Sequence, residues 1–231
     1  MIWWHGKSSD DLSVIVERYP EVIIPTRKQE KISIAGRSGD LLIQQDAFEN
    51  YTQRYEIYVS AEQPRLTTIS HTIAEWLTVK GYQRLEDSYW LNTFRLASYS
   101  GGTEIENVLN RFGRATIEFD CKPQRYYKAG ENALQLTNGQ KLHNMSPYTA
   151  KPLITLTGSS SGTISDGTNT LTLTDVNGIT IDCEIMQIYK GTTNKNSVGS
   201  GSFLQLEEGD TTITWTGGIT GVTLTPRWWT L

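Results

Sequence analysis

Ser160 stands at the centre of GSSSG (158–162), a literal match to the Gly-x-Ser-x-Gly elbow that lifts a nucleophilic serine above a parallel sheet. Such an elbow must join a strand to a helix. Here TISDGTNTLTLT follows, which is strand and turn, so the segment is expected to be a floppy hairpin loop. GRSG (36–39) has the glycines of a phosphate cradle. It lacks the strand–loop–helix setting and the Gly-Lys-Ser/Thr ending that such a cradle needs. It reads as a tight turn in which Gly36 and Gly39 supply positive φ and Asp40 bonds to nearby backbone.

Glu207, Glu208 and Asp210 cluster around Gly209. A glycosidase needs two carboxylates facing each other across a cleft, and these read instead as hairpin residues. His5, His71 and His143 lie far apart, with no Cys or Asp at metal-ligand spacing, so no metal site is expected. Asp175 and Asn177 precede Gly178 like the start of a calcium loop, but Ile179 and Ile181 occupy the next ligand positions, which favours a turn. Cys121 and Cys183 sit in separate strand-like segments and read as small buried apolar residues. No cofactor is implied, and the chain is not expected to be an enzyme. Trp215, Trp228 and Trp229 are the more interesting group, because indole faces can stack on sugar rings. They can equally fill a core. In RWW, strand alternation would turn one of the two neighbours away from the core, towards a partner, the other domain or a sugar.

The elements that must position these residues are mostly strands. In YTQRYEIYV (51–59), Tyr51, Tyr55, Ile57 and Val59 share one face while Thr52, Arg54 and Glu56 share the other. In RATIEFDC (114–121), Ala115, Ile117, Phe119 and Cys121 point one way. SVIVER (13–18) is a further strand, and Ile32 and Ile34 alternate with Lys31 and Ser33 as in a half-buried strand that leads to the GRSG turn. One good helix is expected over 64–81, with Leu66, Ile69, Ile73, Trp76 and Leu77 as its apolar stripe, Pro64 in its first turn and Gly81 as its C-terminal cap. Such a stripe packs on a sheet.

Beyond residue 130 short strands are expected at LITLT (153–157), TLTLTD (170–175), GITID (178–182), EIMQIY (184–189), SFLQL (202–206), TTITW (211–215) and GVTLTPRWW (221–229). Asn138-Gly139, Asp166-Gly167 and Asn177-Gly178 are hairpin signals between them. Many short strands with such turns imply a sandwich or jelly roll.

Composition divides the chain at the same place. Residues 1–130 hold 16 of the 21 Lys and Arg and 17 of the 25 acids, whereas Thr, Ser, Gly and Asn dominate the rest. KPQRYYKAGEN (122–132) ends a strong strand with Pro and Gly, so the domains are placed at 1–130 and 131–231. The net charge of −4 comes with no basic block, which weighs against a sequence-specific nucleic-acid surface. No apolar run approaches the ~18–20 residues that would insert across a membrane. The opening MIWWHGKSSDD lacks the charged start and long apolar core of a signal peptide, so synthesis in the cytoplasm is expected.

The order of segments carries a resemblance. IWW (2–4) is followed by VIVERYP (14–20), the I-x-G-R-S-G-D turn, FENYTQRYEIYV, a helix ending in EWL (75–77) and a G-Y-x-x-L-x-D strand start (81–87). FDCKPQRYY (119–127), an Asn-Gly hairpin, KPLITLTG (151–158), DCEIMQIY (182–189) and a G-x-F-L-x-L-x-x-G hairpin (201–209) complete it. This resembles the distal tail protein family of long, flexible-tailed phages of Gram-positive bacteria.

The resemblance implies a mainly β chain: a ring-forming N-terminal sandwich or barrel-like domain with one helix, and a C-terminal galectin-like or jelly-roll sandwich. It implies a homo-hexameric ring at the tail tip of the virion. The ring would meet the major tail tube protein, the tail-tip hub or tail-associated lysin, and a tail-fibre or receptor-binding protein. On that reading Arg37 and Asp40 are candidate intersubunit contacts, and the connection 18–30, with Pro20 and Pro25, is a candidate for reaching a neighbouring subunit. The alternative is a carbohydrate-binding adhesion module that touches host-wall sugars through Trp215, Trp228 or Trp229.

Overall fold

The computed structural model describes residues 1–60, 65–101, 106–108 and 112–231. The chain is mainly β and divides into two compact units, residues 1–125 with Leu231, and residues 126–230. The first unit contains β1 (Ile2–Trp4), β2 (Lys7–Ser8), β3 (Val14–Val16), β4 (Arg27–Ile32), β5 (Leu41–Phe48), β6 (Tyr51–Ser60), α1 (Arg65–Leu77), β7 (Gln83–Asp87), β8 (Thr93–Tyr99) and β9 (Glu106–Val108). Strand β10 (Phe112–Tyr127) runs on through the boundary.

One sheet runs in the order β2-β1-β7-β8-β10-β6-β3, with β9 also on β10. Its longest ladder joins β6 to β10 antiparallel, from Phe112 opposite Ser60 to Cys121 opposite Tyr51. The period-2 faces fall where the sequence places them: Tyr51, Tyr55, Ile57 and Val59 of β6 and Ile117, Phe119 and Cys121 of β10 are buried together. Helix α1 closes this face with Ile73, Trp76 and Leu77, while Ile69 is partly buried. The Trp76 indole N–H donates to the Trp4 carbonyl at 3.2 Å, and the Trp4 and Phe119 rings meet at 4.6 Å.

The helix is shorter than its sequence pattern suggests. It ends at Leu77, so Gly81 lies beyond the cap, in a later turn with φ +75°. β-Branched Thr78 and Val79, which lose side-chain freedom in a helix, follow its last turn. Pro64 and the Leu66 side chain lie outside the described residues.

Among the described residues, strands β4 and β5 pair only with each other, Ile32 opposite Leu41 and Arg27 opposite Phe48. The turn between them is as expected, with Gly36 at φ +80° and Gly39 at φ +84°. The half-buried strand is not: Ile32 and Ile34 are exposed, because among the described residues no layer lies against either face of this hairpin.

The second unit continues with β11 (Leu134–Leu136), β12 (Gln140–Asn144), β13 (Leu153–Ser165), β14 (Thr170–Leu173), β15 (Thr180–Asp182), β16 (Gln187–Lys190), β17 (Thr193–Asn194), β18 (Gly199–Gly201), β19 (Gly209–Thr225) and β20 (Trp229–Thr230). Its spine is the antiparallel pair β13–β19. TTITW and GVTLT, expected as two strands, are one, and GSSSG is not a loop but a bulged stretch inside β13. The register shifts at Thr157/Gly158 and again between Gly158 and Gly162, opposite Gly217 to Gly221 of β19.

Partners change across this irregularity. The first part of β13 pairs with β15 and the last part with β14, while the start of β19 pairs with β12 and its end with β11. Long strands that pass a bulge and change neighbours make the corners of a sandwich. The core between carries Ile154, Leu156, Ile164, Leu171, Ile181, Ile213, Val222 and Leu224. Asp166-Gly167 forms the expected hairpin between β13 and β14. Asn138-Gly139 and Asn177-Gly178 are turns with positive φ at glycine, but the strands they join pair elsewhere. SFLQL forms no strand, only a bridge from Leu206 to Ala150.

The C-terminal segment is held by an ion pair. The Arg227 guanidinium reaches Asp182 with two hydrogen bonds, 2.7 and 3.0 Å. Burial pushes the Asp182 carboxyl up, but the bonds from Arg227 and its charge outweigh that and hold it below the ordinary carboxylate range. Its stabilisation is therefore complete above the unfolded value of about 4 and is lost as pH falls through the lower folded value. Thermal melts between neutral pH and acid should show the wild-type advantage over Asp182→Asn shrinking below about pH 4. An advantage unchanged into strong acid would show that the pair contributes nothing through its charge.

Candidate assembly surface

Among the described residues, the apolar side chains of the β4–β5 arm join neither core. Ile32, Ile34, Leu41, Leu42 and Ile43 are 37–46% exposed. A lone two-stranded hairpin in water is marginal, and a run of exposed apolar side chains marks a contact surface. Arg37 and Asp40 lie exposed in the turn at its tip, where the Arg37 N–H donates to the Ile34 carbonyl at 3.1 Å. The ends of the arm are adjacent, since the Glu49 N–H donates to the Thr26 carbonyl at 2.8 Å.

A strap, residues 18–26, leads from β3 into this arm. Gln53, on the buried face of β6, donates from its side-chain amide to the Glu21 carbonyl at 3.2 Å, and Arg125 donates to the Ile23 carbonyl at 3.3 Å. Tyr19 packs on Tyr89 with ring centroids 4.2 Å apart. Val22 and Ile24 point away and are 70% and 78% exposed.

Below the strap lies a buried polar cluster that sequence reasoning missed. Asp87 accepts from the Tyr55 hydroxyl at 2.9 Å and pairs with Arg95 at 3.2 Å, with both charged side chains nearly inaccessible. Its other oxygen accepts from the N–H groups of Tyr89 and Trp90, each at 3.0 Å. Arg95 also donates to the Tyr55 oxygen at 2.9 Å, and its guanidinium and that of Arg125 lie 4.8 and 4.4 Å from the Trp90 ring centroid. Burial drives the Tyr55 hydroxyl well above its ordinary pKa, with Arg95 opposing and Asp87 adding to the rise. This arrangement clamps the β7–β8 turn rather than presenting a group to a substrate. The only sequence signal for it was an aspartate at the start of a turn.

The other chemical candidates are dispersed. Ser160 sits in the β13 bulge with φ +67°, its carbonyl accepting from the Val176 N–H at 3.0 Å. His143 bonds to Asp210 at 2.7 Å, His5 to Gln83 at 2.8 Å, and His71 is exposed on α1. Glu207 accepts from the Thr149 hydroxyl at 2.7 Å. Asp175 accepts from the Asn177 N–H at 3.0 Å, a turn contact. Among the described residues no three His, Cys, Asp or Glu side chains gather as a metal would need. Burial pushes the thiols of both Cys121 and Cys183 up to about 12.

Trp215, Trp228 and Trp229 are all partly buried against the second core. Trp229 stacks on Tyr148 at 4.5 Å and donates to the Thr149 carbonyl at 3.0 Å. Strand alternation does not separate Trp228 from Trp229, because the strand begins only at Trp229 and Trp228 lies in the irregular stretch before it, after Arg227 at a left-handed φ of +57°.

Residues 11–121 match the family model of the phage tail protein RIFT-related domain. Residues 11–121 are a domain of this phage tail family. The distal tail resemblance read from the order of segments is thereby borne out. No curated protein matches the tail protein in sequence. Its fold matches the crystal structure of the Dit protein (gp 19.1) of phage SPP1, a paradigm of the hub adsorption apparatus in Gram-positive infecting phages. That match has a TM-score of 0.78 at 14% identity and covers 100% of this chain and 98% of that one. The phage P2 baseplate in its activated conformation with calcium matches at a TM-score of 0.54 and 10% identity, covering 92% of this chain and 89% of that one. At these identities the likeness is one of fold. The family match adds that the strap, the arm and the β6–β10 ladder all belong to the tail domain.

Proposed function

We propose that this phage tail protein is a non-enzymatic adaptor that forms a hexameric ring at the tip of the tail tube. The first domain makes the ring and stacks on the major tail tube protein. The second faces outward as a platform for a tail-fibre or receptor-binding protein, and the tail-tip hub or tail-associated lysin docks on the other side. The observation that carries this reading is the fold likeness to a distal tail protein over the full length of the chain. The exposed apolar arm supports it, since such a surface is costly in a monomer and useful in a closed assembly.

The test is native mass spectrometry of the purified chain, followed by electron microscopy after mixing with recombinant tail tubes. Six-fold rings, free or capping tube ends, are expected. A chain that stays monomeric, leaves the tubes bare and binds glycans would overturn the proposal in favour of the sugar-binding alternative.

A further inference from the structure

The strap is anchored to the sheet along one side. The carbonyls of Glu21 and Ile23 both face the sheet, where Gln53 and Arg125 hold them. In an extended chain, residues two apart present their backbone groups to the same side. Val22 and Ile24 therefore present theirs outward, and neither N–H meets an acceptor among the described residues. Both residues are β-branched, with high strand propensity, and both side chains are exposed. Pro20 and Pro25 bracket the segment, limiting an open edge to its centre.

We propose that this edge accepts the β4–β5 arm of a second copy of this chain by strand addition. The inference rests on the ring reading above and assigns the contact that closes the ring. The same chain carries both halves: an edge with free backbone groups, and a two-stranded arm with open outer edges and uncovered apolar side chains. Charge agrees, since Lys28 and Lys31 of β4 outnumber Glu30 while Arg27 pairs with Asp46 within the arm, and Glu21 on the strap has no cation in ion-pair range among the described residues. The two halves are different surfaces, so the contact is head-to-tail, the kind that closes into a ring when the rotation allows.

The test uses two full-length variants. Val22→Pro/Ile24→Pro removes the outward N–H donors and leaves the arm intact. The second variant replaces residues 27–48 by an Asn-Gly turn between the adjacent ends Thr26 and Glu49, leaving the strap intact. Both should melt within a few degrees of the parent, since neither change reaches the core. The expected result is that the parent assembles, in solution or on tube ends, while each variant alone does not. An equal mixture of the two should yield a one-to-one pair and nothing larger. A proline variant that assembles like the parent, or a mixture without pairs under conditions where the parent forms rings, overturns the strap–arm contact and leaves the ring reading standing. A parent that never assembles, with or without tubes, sinks both.

Discussion

Gly218→Ala is expected to destabilise the second domain severely. A Cβ at this position would lie 1.6 Å from the Ser159 carbonyl oxygen and 2.5 Å from the Ser160 hydroxyl. The nearer obstacle is backbone of the neighbouring strand, which no side-chain rotation can clear. The approach is reciprocal, because a Cβ on Gly158 would lie 2.1 Å from the Gly218 carbonyl oxygen. To accept the methyl group, β13 and β19 must part where both change neighbours, and the corner of the sandwich goes with them. Overpacking in a core that can adjust costs about 1–3 kcal/mol. Separating the two central strands should exceed that and reach about 4 kcal/mol or more, a large part of a domain's total of roughly 5–15. Gly139→Ala is the control. It sits at φ +84° with no atom within 4 Å of the added Cβ, so it should cost only about 1 kcal/mol of backbone strain. Denaturant melts of the two variants make the comparison, and equal losses would show that the close approach is not what fixes the bulge.

Arg95→Met should destabilise the first domain by about 3–5 kcal/mol, the usual cost of stranding one member of a buried ion pair. Asp87 would be left with 2% side-chain exposure and no cation. Its bonds from Tyr55, Tyr89 and Trp90 would remain, and they would not balance a buried carboxylate on their own. Adding Asp87→Asn should recover a good part of the loss, because the amide oxygen can still cap the turn while the stranded charge is gone. A double-mutant cycle with a coupling of about 2 kcal/mol or more is the expected outcome. An Arg95→Met loss under about 1 kcal/mol would show that water reaches the cluster. The consequence extends to assembly, because Arg125 on the same tryptophan ring holds the strap.

Local pattern was enough wherever neighbours along the chain decide the answer. The faces of β6 and β10 were readable because strand side chains alternate, and the arm's turn because Gly36 and Gly39 tolerate positive φ. The order of such segments was also enough to point to the distal tail family.

Three features were not readable. GSSSG looks the same as a loop and as a bulge; its distant partner, the glycines of TGGITG, decides. Ile32 and Ile34 share a face by periodicity, but periodicity does not say whether anything packs on that face. Asp87 and Arg95 look like surface charges until the sheet and Trp90 remove water from both. The sequence by itself thus pointed to most of the strands, the alternating faces of the long ones, the positive-φ turns and the family resemblance, all properties of residues close along the chain. Only the tertiary structure decided which strands touch, which charges are buried and which apolar surface is left open, because each depends on what a distant segment brings against it.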